Sequence, residues 1–216
     1  MSYLKRQKVP KNWPIPRKGT KYVVKPRVDV QKGVPLLVAL RDILGVAQNR
    51  KEVKRIIHLK KILLNGRPAR DEKNSVLLFD VITFVPSNKS YRVGLSGKGK
   101  IGINEIPSKE SGTKISKIIG KKMLKGKKMQ INLGDGRNYL SDIKCNTNDS
   151  VVIDLKNNKI KDHLPLKEKS KVLVFAGKHS GKNGVVNKID EENNSAEITS
   201  QKEKITVLTK QLMVIN

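Results

Sequence analysis

Arg50, Lys51, Lys54 and Arg55 crowd into one six-residue stretch, and Lys60, Lys61, Arg67 and Arg70 follow close behind. Cations at this density suit one kind of chemistry. They neutralise phosphates and release the counterions condensed on a nucleic acid. A second stretch, GKHSGKNG, sets Gly177, Gly181 and Gly184 around Lys178 and Lys182. Glycine there lets backbone N–H groups come close to a phosphate, and the two lysines add charge. The alternative is a purely structural turn. A nucleotide-binding P-loop needs four residues between its glycines, then Lys and Ser or Thr. Here three residues separate Gly177 from Gly181 and Asn183 follows Lys182, so nucleoside triphosphate binding is not expected.

Other chemistry finds no purchase. His58, His163 and His179 are scattered, and Cys145 is the only cysteine, so no metal-ligand spacing exists. His58 ends a basic stretch and reads as a surface residue or an RNA contact. No nucleophile, base and orienting group come together in the sequence. The expectation is no catalytic residue, no metal, no cofactor and no small-molecule substrate.

The elements that must position the cations follow from periodicity. Pro35 suits a first helical turn, Leu36, Leu37, Leu40, Ile43 and Leu44 recur at helical spacing, and Gly45 can end the helix. Asn49 can cap a second helix, with Glu52 reaching back in a capping box. Val53, Ile56 and Ile57 form its apolar stripe, which leaves the four cations outside it. Asn65-Gly66 is a type I′ hairpin signal, and DVITFV at 80–85 can complete a small sheet. Residues 88–165 alternate strand-like runs with turns at Asp135-Gly136 and Asn157-Asn158 and include the lysine-dense KISKIIGKKMLKGKK. The glycine loop lies between apolar runs at 171–176 and 185–189, and three further short strands suggest a small barrel.

Residues 1–33 carry Lys5, Arg6, Lys8, Lys11 and Arg17 among others, with prolines at 10, 14, 16 and 26. Proline excludes a continuous helix, so an extended arm, poorly ordered when alone, is predicted. Trp13, the only tryptophan, either stacks on a base or anchors the arm on the protein's own surface.

Composition agrees. Lys and Arg number 46 against 19 Asp and Glu, a net charge of +27 over 216 residues. A small domain kept soluble by charge needs a magnitude of only ~2–8, so a polyanionic partner is implied, nucleic acid before a membrane surface. Hydrophobic content is 37%, below the ~45–50% of ordinary globular chains, which limits the cores. A single cysteine suits a reducing cytosol. No apolar run of ~18 residues predicts a membrane span, and the N-terminus lacks the apolar core of a signal peptide.

The segment 34–85, with its apolar first helix, NRKEVKRII and ILLNG, resembles the S-four RNA-binding domain. The tail resembles the KOW motif through an apolar strand, G-x-x-x-G-x-x-G and Val185-Val186. Taken with LKR…PKNWPI, KPRV…PLLVALRD and NDSVVIDLKNNKIKDHLPL, the whole chain resembles the S-four-e family of small-subunit ribosomal proteins. It stops soon after the KOW segment, without the basic extension of eukaryotic members, which implies an archaeal member. The resemblance implies an α+β protein in four parts: an extended basic arm (1–33), a small α/β S-four-type RNA-binding domain (34–87), a mostly β central domain (88–165) and a C-terminal KOW SH3-like β-barrel (166–216). It implies a non-enzymatic constituent of the small ribosomal subunit, cytoplasmic, supporting translation and subunit assembly. Its partners would be small-subunit ribosomal RNA and neighbouring ribosomal proteins, with no membrane. The RNA surface carried over is Arg50, Lys51, Lys54, Arg55, Lys60, Lys61, Asn65, Arg67 and Arg70. Lys5, Arg6, Lys8, Lys11, Trp13, Arg17, Lys178 and Lys182, with the loop glycines 177, 181 and 184, complete the expected site. A pseudouridine synthase is disfavoured, because GRNY at 136–139 departs from the Gly-Arg-Leu-Asp motif at its last two positions.

Overall fold

Tyr3–Lys5 (β1) and Tyr22–Val24 (β2) pair antiparallel in a computed structural model that describes every residue but 1, 2, 142, 201, 202 and 216. The aromatic rings of Tyr3 and Tyr22 meet edge-on across that ladder at 4.7 Å. The loop between the strands returns Trp13 to the core, where it is 2% exposed beside Val9, Ile15, Val23 and Val24. The arm, expected to be extended and poorly ordered when alone, is instead folded back, and the anchoring alternative for Trp13 holds. Its apolar residues are few, but one is a tryptophan. Burying ~150–250 Å² of ring at ~25 cal/mol per Å² contributes about 4–6 kcal/mol. The backbone N–H of Ile101 also donates to Asn12 O at 2.9 Å and holds the loop down.

Chain packing yields two units, residues 1–95 with 100–112, and 96–99 with 113–216. In the first, Gly33–Pro35 (β3) leads into a helical stretch formed by Leu36–Val38 (α1) and a wider π-type turn, Ala39–Ile43. Leu36 to Leu40 are buried all round, so this helix is core rather than an amphipathic surface. The π turn closes through Leu44 N to Ala39 O at 3.0 Å, and Gly45 ends it at φ +64°. The second helix, Arg50–His58 (α2), starts at the predicted cap: Glu52 N donates to Asn49 Oδ1 at 3.0 Å. The Glu52 carboxylate reaches back one residue further than a standard box, to Gln48 N at 2.8 Å. Val53 and Ile57 face the core.

Ile62–Leu64 (β4) and Arg67–Pro68 (β5) follow, joined through Asn65 and Gly66 at φ +52° and +74°. Both signs suit a type I′ turn. Ser75–Leu77 (β6) pairs with β3, and Val81–Phe84 (β7), Lys89–Leu95 (β8) and Ile101–Ile106 (β9) extend the sheet in the order β5-β4-β7-β8-β9. The sequence boundary expected after residue 87 thus falls inside the β7–β8 hairpin.

The second unit holds two five-stranded sheets. Thr113–Met123 (β10), Met129–Leu133 (β11), Asn138–Leu140 (β12), Ser150–Asp154 (β13) and Lys159–Leu164 (β14) are ordered β12-β11-β10-β13-β14. β10 serves two partners: its first half pairs with β13 and, past a bulge at Ile119, its second half pairs with β11. Lys171–Val174 (β15), Asn183–Asp190 (β16), Ser195–Ser200 (β17), Glu203–Leu208 (β18) and Leu212–Val214 (β19) form the other, ordered β18-β17-β16-β15-β19. Lys117 fastens the two sheets. It is buried, and its Nζ donates to Thr209 O at 2.6 Å and Leu212 O at 2.7 Å. Val214 N donates to Ser150 Oγ at 3.0 Å alongside. The fold is mostly β with few helices.

Candidate nucleic-acid interface

The α2 cap decides which cations face outward. With Val53 and Ile57 turned to the core, Arg50, Lys51, Lys54 and Arg55 stand on the open side of the helix, all exposed. They are not equivalent. Arg50 Nε donates to Glu72 Oε1 at 2.8 Å, its second terminal nitrogen pairs with the same oxygen, and Lys54 Nζ lies 3.9 Å from Oε2. The Glu72 side chain is 2% exposed, so this carboxylate is a buried anion beneath two half-exposed cations. The Glu72 hydrogen bond pushes the Arg50 pKa further up, against the opposing effect of burial. Arg50 and Lys54 are therefore partly committed to the fold.

Lys51, Arg55, Lys60, Lys61, Arg67 and Arg70 are exposed and make no ion pair among the described residues. Lys60 sits just past the helix at φ +53°, its N–H donating to Ile57 O at 2.9 Å, where a glycine usually stands. Asn65 does not belong with them. It is buried, Nδ2 donating to Asp80 Oδ1 at 2.9 Å and Oδ1 accepting from Val81 N at 3.0 Å. Both ends of its amide are spent on the chain entering β7, so the expected RNA contact is corrected to a structural one.

In the arm, Lys5, Lys8, Lys11 and Arg17 are exposed. Arg6 is turned inward, with Nε to Thr20 O at 2.7 Å, one terminal nitrogen to Pro16 O at 2.7 Å and the other to Thr20 Oγ1 at 2.9 Å. It braces the loop. Trp13 has no open ring face for a base, which corrects its assignment as a stacking platform and leaves the anchoring alternative.

The glycine loop also departs from expectation. Gly177 and Gly181 have φ of +87° and +89°, which few side chains adopt. A Cβ on Gly181 would lie 1.9 Å from Ser96 O, one on Gly184 2.6 Å from Thr199 O, and one on Gly177 2.7 Å from Gln211 Oε1. The close approach these glycines permit is to the protein's own groups. Lys178 is exposed, and Lys182 Nζ lies 3.2 Å from Glu203 Oε2.

Lys122, Lys125 and Lys128 at the β10–β11 end are exposed cations outside the predicted set, although lysine density pointed to this stretch. Lys18, Lys21 and Lys100 are likewise exposed. His163 Nε2 lies 2.8 Å from Asp149 Oδ2, which also accepts from Asn146 N, while Asp149 Oδ1 accepts from Leu166 N. That carboxylate ties β14 and the chain after it to the turn before β13. Among the described residues, no three or more His, Cys, Asp and Glu are grouped to hold a metal ion, and no helix is long and apolar enough to cross a membrane.

Comparison with known proteins adds three findings. The model of Ribosomal family S4e matches residues 87–160, and that of the RS4NT domain matches residues 3–28. Curated relatives called small ribosomal subunit protein eS4 are 38% identical in Methanocella arvoryzae, covering 90% of this chain and 84% of that one, and 38% identical in Nanoarchaeum equitans, covering 87% and 84%. The relative of that name in Korarchaeum cryptofilum is 35% identical and covers 99% of this chain and 95% of its own. The crystal structure of the 30S ribosomal protein S4e from Thermoplasma acidophilum superposes with a TM-score of 0.74 over 86% of this chain and 96% of that one, at 24% identity, so the fold is shared.

Proposed function

This chain belongs to the ribosomal family S4e, and from that premise we propose that it is a structural constituent of the small ribosomal subunit that binds ribosomal RNA and has no catalytic activity. As part of the ribosome it works in the cytoplasm, with ribosomal RNA and neighbouring ribosomal proteins as partners. One observation carries the RNA reading in this chain: Lys51, Arg55, Lys60, Lys61, Arg67 and Arg70, on α2 and around the β4–β5 hairpin, are exposed and make no ion pair among the described residues. Cations without carboxylate partners gain most from phosphates, because nothing must be broken to engage them. Duplex RNA hides its base edges, so this surface reads backbone geometry and 2′-hydroxyls.

Within this reading, residues 34–85 serve as an S-four-type RNA-binding module. The sheet β15–β19 serves as a KOW-type barrel, supported by the glycine spacing and by the 3-10 turn Thr209–Gln211 before β19. Lys51, Arg55, Lys60, Lys61, Arg67 and Arg70 are the principal contacts, and Arg50 and Lys54 contribute less because Glu72 shares them.

The test is incorporation into small subunits. A Lys51/Arg55/Arg67→Glu variant reverses three charges and leaves Glu72 its partners. Arg50 is kept, because a glutamate there would press a second carboxylate on a buried one. The variant is expected to fold as wild type by circular dichroism and to be depleted from small subunits when co-expressed with wild type. Equal incorporation would remove this face from the RNA contact. Absence of the wild-type protein from purified small subunits would remove the proposed function itself.

A further inference from the structure

The loop that joins β1 to β2 borders, together with Lys100, an open cleft of about 1310 Å³. Seven of its fifteen lining residues are Lys or Arg and none is Asp or Glu. Small-molecule sites run to ~300–1,000 Å³ and are mostly apolar, so this cavity is too large and too cationic for a metabolite. Readers of duplex RNA span ~16 base pairs across two minor grooves, far more than one loop can follow. A single strand fits both limits.

The cavity is built, not merely charged. Arg6 bonds the loop at Pro16 and Thr20 with three nitrogens, so one cation is fixed in the wall before any ligand arrives. Gly19, at φ +141°, lets the Arg6 guanidinium pass: a Cβ there would lie 3.1 Å from it. Trp13 is part of the wall, and its Nε1–H is buried with no acceptor among the described residues. Lys11, Arg17 and Lys18 line the cavity, are exposed, and make no ion pair among the described residues. A strand that carries phosphates for these cations fits the cleft, with Trp13 in its wall.

We infer that the β1–β2 loop is a preformed cleft for a single-stranded RNA segment, distinct from the backbone-reading face on α2. The inference rests on the ribosomal RNA reading above and adds the form of RNA that the arm takes. Because the loop is already held by Arg6, Trp13 and the β1–β2 ladder, binding does not bear the whole ordering cost of a disordered arm.

Trp13 is the only tryptophan in the chain, so its fluorescence reports on this wall without a label. Full-length protein is titrated with an eight-nucleotide single-stranded oligoribonucleotide of mixed sequence, and separately with a 16-base-pair RNA duplex. Expected is a saturable fluorescence change with the single strand, which the duplex displaces poorly. In Lys11/Arg17/Lys18→Glu, affinity for the single strand should fall roughly tenfold or more and the salt slope by about 2, at ~0.7 per lost phosphate contact. Lys51/Arg55/Arg67→Glu should lower it far less than the loop variant does. If the triple reversal in the loop disturbs its circular dichroism, Lys18→Gln alone should still lower the slope by about 0.7. Single-strand binding that is silent at Trp13, equal affinity in the loop variants, or equal displacement by duplex would each overturn the inference and leave the ribosomal reading standing. A wild-type protein that binds neither RNA would overturn both.

Discussion

On α2 and the hairpin after it, Lys51, Arg55, Lys60, Lys61, Arg67 and Arg70 hold their charges in solvent without carboxylate partners among the described residues, whereas the other unit takes lysines inside. Lys114 is buried with Nζ 2.7 Å from Asp135 Oδ2, and Lys117 spends its ammonium on two backbone carbonyls. The glycine loop follows the same rule as these lysines. Its special residues serve protein contacts rather than an open surface. The difference teaches that residue type and spacing identify a place of unusual chemistry but not its recipient. A run of lysine can be an interface or a fastening, and a glycine can admit a phosphate or a carbonyl oxygen.

The sharpest way to break this comparison is Gly181→Ala. At φ +89° and with Ser96 O 1.9 Å from the new Cβ, the loop must move, not merely relax. Strain at such a backbone costs ~1–3 kcal/mol and overpacking adds ~1–3 more, so a loss of roughly 3 kcal/mol or more is expected in urea unfolding. Lys178→Ala in the same loop should stay within ~0.5 kcal/mol. Near-wild-type stability of Gly181→Ala would restore the loop as an open, phosphate-receiving turn.

Lys117 sharpens it further through pH. Burial lowers its pKa from the ordinary 10.5 to about 8. In the unfolded chain the amine keeps its proton up to about 10.5, so between these values unfolding takes up a proton. Stability therefore rises as pH goes from about 8 to about 10.5, by up to about 3 kcal/mol. Lys117→Met should flatten that rise in urea midpoints measured across the window. A rise that persists in the variant would assign it to another group, and Lys117 would then be an ordinary charged lysine.

How much of this was legible from the residues depends on the distance between partners. The two helices, the Asn49 cap, the Asn65-Gly66 turn and the turns at Gly136 and Asn158 are local signals, and the structure carries each one. The corrections all involve partners far along the chain. Arg50 meets Glu72 22 residues on, Asn65 meets Asp80 15 residues on, and Arg6 meets Pro16 and Thr20 10 and 14 residues on. Periodicity fixes which face of an element is apolar; it does not say which acid a sheet will bring beneath a cation. Trp13 marks the same limit. Its type announced an anchor or a stacking platform, and only the return of the chain through β2 decided between them.

The smallest effect expected is at Lys60, and it separates charge from fold within the exposed set. Lys60 occupies a left-handed conformation, φ +53°, at the end of α2. An L-residue there carries roughly 1–2 kcal/mol of steric cost that glycine avoids. Glycine also frees the unfolded chain, which offsets about 0.4–1 kcal/mol. Lys60→Gly should therefore leave the urea midpoint close to wild type or slightly above it. Its effect should fall on RNA instead, with the salt dependence of duplex affinity reduced by about 0.7–0.9, one phosphate contact. A variant that is as stable as wild type and keeps the full slope would show that Lys60 is only a cap that happens to be charged. A variant clearly less stable would show that its side chain serves the fold, and the contrast between the two units would weaken at this position.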